Sequence, residues 1–246
     1  MNLSAPIRHQ RVLEAFEAFD SELRRWSLQH GSNERKYPTL IDAATLTQAG
    51  YPEAFPHLLM RAAVIANPEQ AASETNVCLG DWCLSPAVCY HAFAELQDQV
   101  VEGEVVVSAR GTCFRNEEVD RLAPGRRQVE FEMRELILIG SASGIESRLA
   151  ELQPTLSVLA DAHGLETTWC PASDPFFLPS ARGKALMQRL QGTKLELCLP
   201  CGLAVASINR HGTHLTERFA IRFPDGSPAH SACVAFGLDR WIAHFS

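Results

Sequence analysis

An α+β fold, with an antiparallel sheet flanked by helices, is predicted by three features of the sequence. "RVLEAFEAFDSELRRWSLQHG" places apolar residues at helical spacing near the start of the chain. "GEVVVSARGTCFR" and "RQVEFEMRELILIGSA" then switch to the two-residue period of strands. The strand candidates are not separated by regular helical units, as a parallel sheet would require.

The elements follow in order. The first helix spans about residues 8–30, with Val12, Phe16, Phe19, Leu23 and Trp26 on one face and Gly31 to end it. "ERKYPTLIDAATLTQAGYPEAFPHL" has prolines and a glycine between short apolar groups and reads as loops around a strand or short helix. "NPEQAASETN", 67–76, is polar enough to be an exposed connection. "SPAVCYHAFAELQ" reads as a helix capped by Ser85, with Pro86 at its first position. The two strands noted above form a hairpin around the charged loop "NEEVDRLAPGR". "SGIESRLAELQPTLSVLADAHG" is helical in composition despite Pro154, and four strand candidates follow: "LETTWCPA", "GTKLELCLP", "LAVASINRHG" and "TERFAIRF". "FGLDRWIAHF" closes the chain as a helix.

Composition sets the limits on function. A chain of 246 residues, 46% hydrophobic and 21% charged, fits one globular domain over 1–246 that buries roughly 70% of its unfolded surface. No apolar run is long enough to span a bilayer, and "MNLSAPIRHQRVLEAF" lacks the pattern of a secretion signal, so no membrane association and a cytoplasmic location are expected. A net charge of -7 argues against a broad nucleic-acid surface but leaves room for a local phosphate site. The eight cysteines include a single CxxC, "CLPC" at 198–201, which reads as packing.

"GTCFRNEE" is the most informative stretch. It follows "EVVVSARG", and strand periodicity sets Arg115 and Glu117 side by side on one face. Together with "VEFEMRELILIG", "TKLEL", "VASINRHG" and "SACVAFGLDRW", in this order, it resembles the catalytic domain of class II aminoacyl-tRNA synthetases. The chain resembles most closely the synthetase-like amino acid:carrier-protein ligases, relatives of an atypical zinc-dependent seryl-tRNA synthetase. The likeness takes in "YPTLIDAATLTQAGYPEAFPHL" and "CLSPAVCYHAF" and so covers about residues 37–246.

The resemblance implies roles. Arg115 would clamp the α-phosphate and the amino-acid carboxylate, since a planar guanidinium can meet two oxygens at once. Glu117 would hold the adenine amino group or the substrate, and Phe131 would stack on adenine. Arg121, Arg126 and Arg127 are candidates for the outer phosphates. Arg240 would grip the γ-phosphate of a bent ATP, with Gly237 allowing close approach; Asp239 stands where the family usually has glutamate. Glu196 would hold magnesium, assisted by Ser207 or Asn209. Cys89, Glu135 and Cys233 match the zinc ligands of the family, leaving one coordination position open for the substrate amine. Cys83 is the rival of Cys89, and Glu132 is the rival of Glu135. His211 is a further candidate for the pocket wall.

The implied chemistry is ATP-dependent activation of a small amino acid, glycine or alanine, as its adenylate. Transfer to the phosphopantetheine thiol of a carrier protein follows. The short chain leaves no room for an anticodon-binding domain, so tRNA is not the expected acceptor. Arg8, Arg11, Arg24 and Arg25 on the first helix form a candidate basic surface for an acidic carrier. A homodimer is also implied. Another acceptor for the adenylate, or a non-catalytic amino-acid sensor, are the competing readings.

Overall fold

The computed structural model describes residues 8–67, 69, 76–172 and 193–245. Most of the expected connection 67–76 lies outside the described residues.

The chain opens with helix α1 (Gln10–Gln29), which Gly31 follows at a φ of +78°. A residue with a Cβ seldom adopts that conformation, so glycine suits the stop. Phe16, Phe19, Leu23 and Trp26 are buried as their spacing predicts. Val12 is not: it is 42% exposed, because the buried stripe begins one turn later. Strands β1 (Asn33–Arg35) and β2 (Leu40–Asp42) and the short helices α2 (Ala43–Gln48) and α3 (Tyr51–Ala54) come next. Asp42 caps α2 by accepting from the Ala44 amide.

Strands β3 (Arg61–Ile65) and β4 (Val77–Leu84) join β2 in a three-stranded sheet ordered β2-β4-β3. Helix α4 spans Cys89–Glu95, starting three residues after Pro86, where a cap at Ser85 would start it. Ser85 does not cap it. Its amide donates to Thr39 and its carbonyl accepts from Phe114, so its backbone stays committed to the neighbouring strands.

The main sheet is built from β5 (Val105–Phe114), β6 (Glu130–Gly140), β7 (Thr168–Pro171), β8 (Lys194–Cys198), β9 (Ala204–Gly212) and β10 (His230–Gly237). With β1 it runs β1-β5-β6-β10-β9-β8-β7. Only the β1 to β5 pairing is parallel. Helix α5 (Ala142–Ala162) runs through Pro154. "TERFAIRF" is not a strand: helix α6 (His214–Arg218) takes its first residues, and Ala220 turns the chain at a φ of +52°. Helix α7 (Leu238–Ile242) follows β10 directly.

The pleat sorts the sheet into two faces. On one, Leu136, Leu138, Val234 and Phe236 pack with α1 and α5 in the larger core. Arg134 lies on that face too, with 2% of its surface exposed. It survives burial because it is fully engaged: Asp20 of α1 at 2.8 Å, Glu34 of β1 at 2.9 Å and the Ser108 hydroxyl at 2.9 Å. The opposite face carries the site.

Candidate active site

Cross-strand pairing places the residues of the open face in rows. Cys113 stands opposite Phe131, Ala235 opposite Glu135 and Ser207, Asn209 opposite Cys233, and Ser207 opposite Glu196. Because side chains alternate along a strand, Phe131, Met133 and Glu135 point to this face, while Glu132 and Arg134 point to the other. This parity sends the rivals Glu132 and Glu135 to different faces. Glu132 bonds Arg110 at 2.9 Å and Thr112 at 3.0 Å. Glu135 is buried on the open face and accepts from the Cys89 amide at 2.6 Å.

Over this face lies a cavity of about 470 Å³. Its wall includes Arg115, Glu117, Phe131, Glu196, Ser207, Asn209, Gly237 and Arg240, and also Cys89, Glu135 and Cys233. These residues come from four strands, two helices and the hairpin loop, and the sheet brings them to one place. Cys83 is buried elsewhere, in a small cluster with Ile41, Leu46, Tyr51 and Leu58.

Arg115 is half-buried, with its Nε donating to the Pro86 carbonyl at 3.2 Å and its guanidinium 5.1 Å from the centre of the Phe131 ring. The ring expected to stack on a base therefore already shares its surroundings with a cation. Glu117 meets Arg127 at 2.7 Å. Of the three loop arginines, Arg126 and Arg127 line the cavity. Arg121 instead pairs in the open with Glu118 at 2.6 Å.

Arg240 donates to the carbonyls of Arg126 at 2.9 Å and Ala204 at 2.8 Å. Burial, followed by the neighbouring Arg115 guanidinium, pulls its pKa below the ordinary arginine range. Gly237 serves a nearer neighbour than a nucleotide: a Cβ there would come within 3.3 Å of the Arg240 side chain. Glu196 forms an ion pair with Lys194 at 3.4 Å, and Asn209 donates to Ser207 at 3.1 Å. Lys194 was absent from the sequence-derived set although it stands in the same "TKLEL", two residues from Glu196 and so on the same strand face.

At the other end of the cavity, Cys233 lies 3.7 Å from a Glu135 oxygen and 3.7 Å from His211 Nε2, and Asn209 donates to its sulfur at 3.5 Å. Burial pushes the Glu135 carboxyl up to about 8; Cys233 adds to the rise and the Cys89 amide opposes it. A thiol hydrogen bond joins Cys89 to Cys233, raising the first well above the ordinary range and lowering the second. The two sulfurs and the carboxylate bond one another rather than surround a common point. Among the described residues, no three His, Cys, Asp or Glu side chains converge as a ready metal site. The donor chemistry nevertheless fits zinc, which accepts two cysteine sulfurs and a carboxylate, and all three side chains are buried.

The expected basic surface on α1 is only partly realised. Arg11, Arg24 and Arg25 are exposed, whereas Arg8 turns inward to Asp239 at 2.6 Å. Among the described residues, no helix is long and apolar enough to cross a membrane.

No family model matches the chain. It is 30% identical over 229 residues to amino acid-[acyl-carrier-protein] ligase 1 of Bradyrhizobium diazoefficiens, a match covering 85% of this chain and 69% of the relative. Ligase 2 of the same organism is also 30% identical, over 83% of this chain and 66% of the relative. The chain thus spans about two thirds of the length of these relatives. Among solved structures, M. kandleri SerRS in its complex with A. aeolicus tRNASec superposes with a TM-score of 0.79 at 20% identity, over 98% of this chain and 54% of that one. The mixed α+β architecture is that of a class II synthetase catalytic domain.

Proposed function

The chain belongs to the amino acid-[acyl-carrier-protein] ligase family, and from that premise we propose that it activates a small amino acid with ATP and passes it to the phosphopantetheine thiol of a carrier protein. The observation that carries this reading is the gathering of Arg115, Glu117, Phe131, Glu196 and Arg240 on the wall of one cavity with the Cys89, Glu135 and Cys233 donors. In the first step, the amino-acid carboxylate attacks the α-phosphorus and pyrophosphate leaves. Arg115 and Arg240, neighbouring guanidiniums on the cavity wall, supply positive charge where the transition state becomes more negative. Both are held by backbone carbonyls, so little reorganisation is needed when the charge develops.

Glu196, with Ser207 and Asn209, would hold magnesium on the phosphates once its pairing with Lys194 is relaxed. Cys89, Glu135 and Cys233 would hold zinc. When bound, zinc supplies a Lewis acid that takes the free amine of the substrate. Tyr51, Tyr90 and Leu215 occupy parts of the cavity wall and limit its space, which favours glycine or alanine. The tyrosines and Leu215 thus work by exclusion, the donor cluster by attraction. In the second step the carrier thiol attacks the adenylate carbonyl and AMP leaves. A homodimer and a cytoplasmic location complete the reading.

The test is incubation of the chain with ATP, magnesium, glycine or alanine, and a phosphopantetheinylated carrier protein. The carrier should gain the mass of one aminoacyl group and lose it in hydroxylamine, as a thioester does. A carrier left unmodified while adenylate accumulates would direct the transfer to a different acceptor.

A further inference from the structure

We infer that Arg8 and Asp239 are positioning residues for Arg240; this rests on reading the cavity as an ATP site. Helix α7 is five residues long, too short to hold a conformation by its own hydrogen bonds, so tertiary anchors decide where it points. Asp239, in its first turn, supplies two of them. One carboxylate oxygen accepts from Arg8 at 2.6 Å, and the other accepts from the Glu132 backbone amide of β6 at 2.6 Å. Both are short, charge-assisted bonds. Arg240 is the next residue, and its guanidinium enters the cavity wall.

Arg8 is itself held in place. Its guanidinium lies 4.2 Å from the centre of the Phe16 ring, and that of Arg110 lies 4.6 Å from the same ring. Both cations also reach Glu132, Arg110 at 2.9 Å and Arg8 at 3.9 Å. The bridge therefore runs from the start of α1, across Phe16 and Glu132, to the residue preceding Arg240. Arg8 precedes all the stretches that carry the synthetase-like motifs, and sequence reading placed it on a docking surface. Its partner is 231 positions away.

The test uses the full chain with Arg8→Gln, Asp239→Asn and Arg8→Lys, each alone and Arg8→Gln also in an Arg240→Ala background. Two readouts are taken: KM and kcat in amino-acid-dependent pyrophosphate exchange, and deuterium uptake at residues 238–242. Arg8→Gln and Asp239→Asn should each raise KM for ATP about tenfold, the equivalent of one charged hydrogen bond, while leaving KM for the amino acid unchanged. Uptake at 238–242 should quicken. Arg8→Lys should restore part of the loss, and Arg8→Gln should add nothing once Arg240 is gone.

A general structural role would instead raise both KM values and add to Arg240→Ala, which would overturn the inference. So would unchanged uptake at 238–242 in Arg8→Gln. Absence of exchange by the wild-type chain fells the ATP reading and this inference with it. That result is distinct from failure of the inference alone, in which the wild type exchanges and Arg8→Gln keeps its KM for ATP.

Discussion

Glu132 and Glu135 stand three residues apart in "EFEMRE", and the pleat of β6 sends them to opposite faces of the sheet. Changing each to glutamine should therefore produce two unrelated phenotypes. Glu132 has 14% of its side chain exposed, bonds Arg110 and Thr112, and helps to bracket Arg8. Glutamine keeps an acceptor but loses the charge, so the expected cost is about that of one charged hydrogen bond, roughly 1.5–3 kcal/mol. For a chain of this length that is a fall of about 3–12 °C in Tm, with zinc content unchanged. Glu135 faces the cavity, and its carboxylate receives the Cys89 amide and approaches Cys233. Glutamine there should weaken zinc by more than about 100-fold, since even outer-shell partners are worth 10–100-fold. Its Tm without metal should change little. Thermal melts and metal analysis after dialysis against a weak chelator read both outcomes. Loss of zinc in Glu132→Gln with retention in Glu135→Gln would refute the face assignment.

Arg134→Met should be the most destabilising of the charge removals, by about 3–5 kcal/mol, because Asp20 and Glu34 lose a partner that is itself buried; urea unfolding measures it. Changing all three residues to uncharged ones should recover most of that loss. Gly125→Ala should cost about 1–3 kcal/mol from backbone strain alone, since Gly125 has a φ of +68°, and more from a Cβ placed 2.4 Å from that of Ala243. A melt indistinguishable from that of the wild type would contradict this. Removal of metal by a strong chelator should abolish amino-acid-dependent turnover while leaving ATP binding, because the expected zinc donors and the phosphate-facing arginines are separate side chains of the cavity wall. Calorimetric titration with ATP after chelation checks this.

Much of the site was legible because it lies on strands. Period-two alternation is a local signal, and it carries Phe131 with Glu135 to one face without knowledge of the partners, whereas Arg115 and Glu117 lie beyond the end of β5, where alternation does not place them. The order of the motifs supplied the rest, including residues such as Glu196 that carry no local mark of function. What local reading missed depends on distant partners. Arg134 reads as a solvated charge, and only the approach of α1 and β1 makes burial tolerable. Arg8 reads as part of a basic surface for the same reason. Ser85 has the chemistry of a cap, but its backbone is claimed by Thr39 and Phe114. "TERFAIRF" has strand-like alternation, yet Thr213 and Glu217 bond across one helical turn at 3.0 Å and Leu215 and Phe219 are buried together. The three-stranded sheet was hidden because β2 and β3 are short and Val64, Leu79 and Trp82 remain exposed.

The central claim is that this cavity makes an aminoacyl adenylate, and exchange of labelled pyrophosphate into ATP tests it most directly. With zinc-replete protein and each of the twenty amino acids in turn, exchange is expected with glycine or alanine alone, and slowed about 100-fold or more in Arg115→Ala or Arg240→Ala. Zinc-bearing protein that exchanges with no amino acid would contradict it.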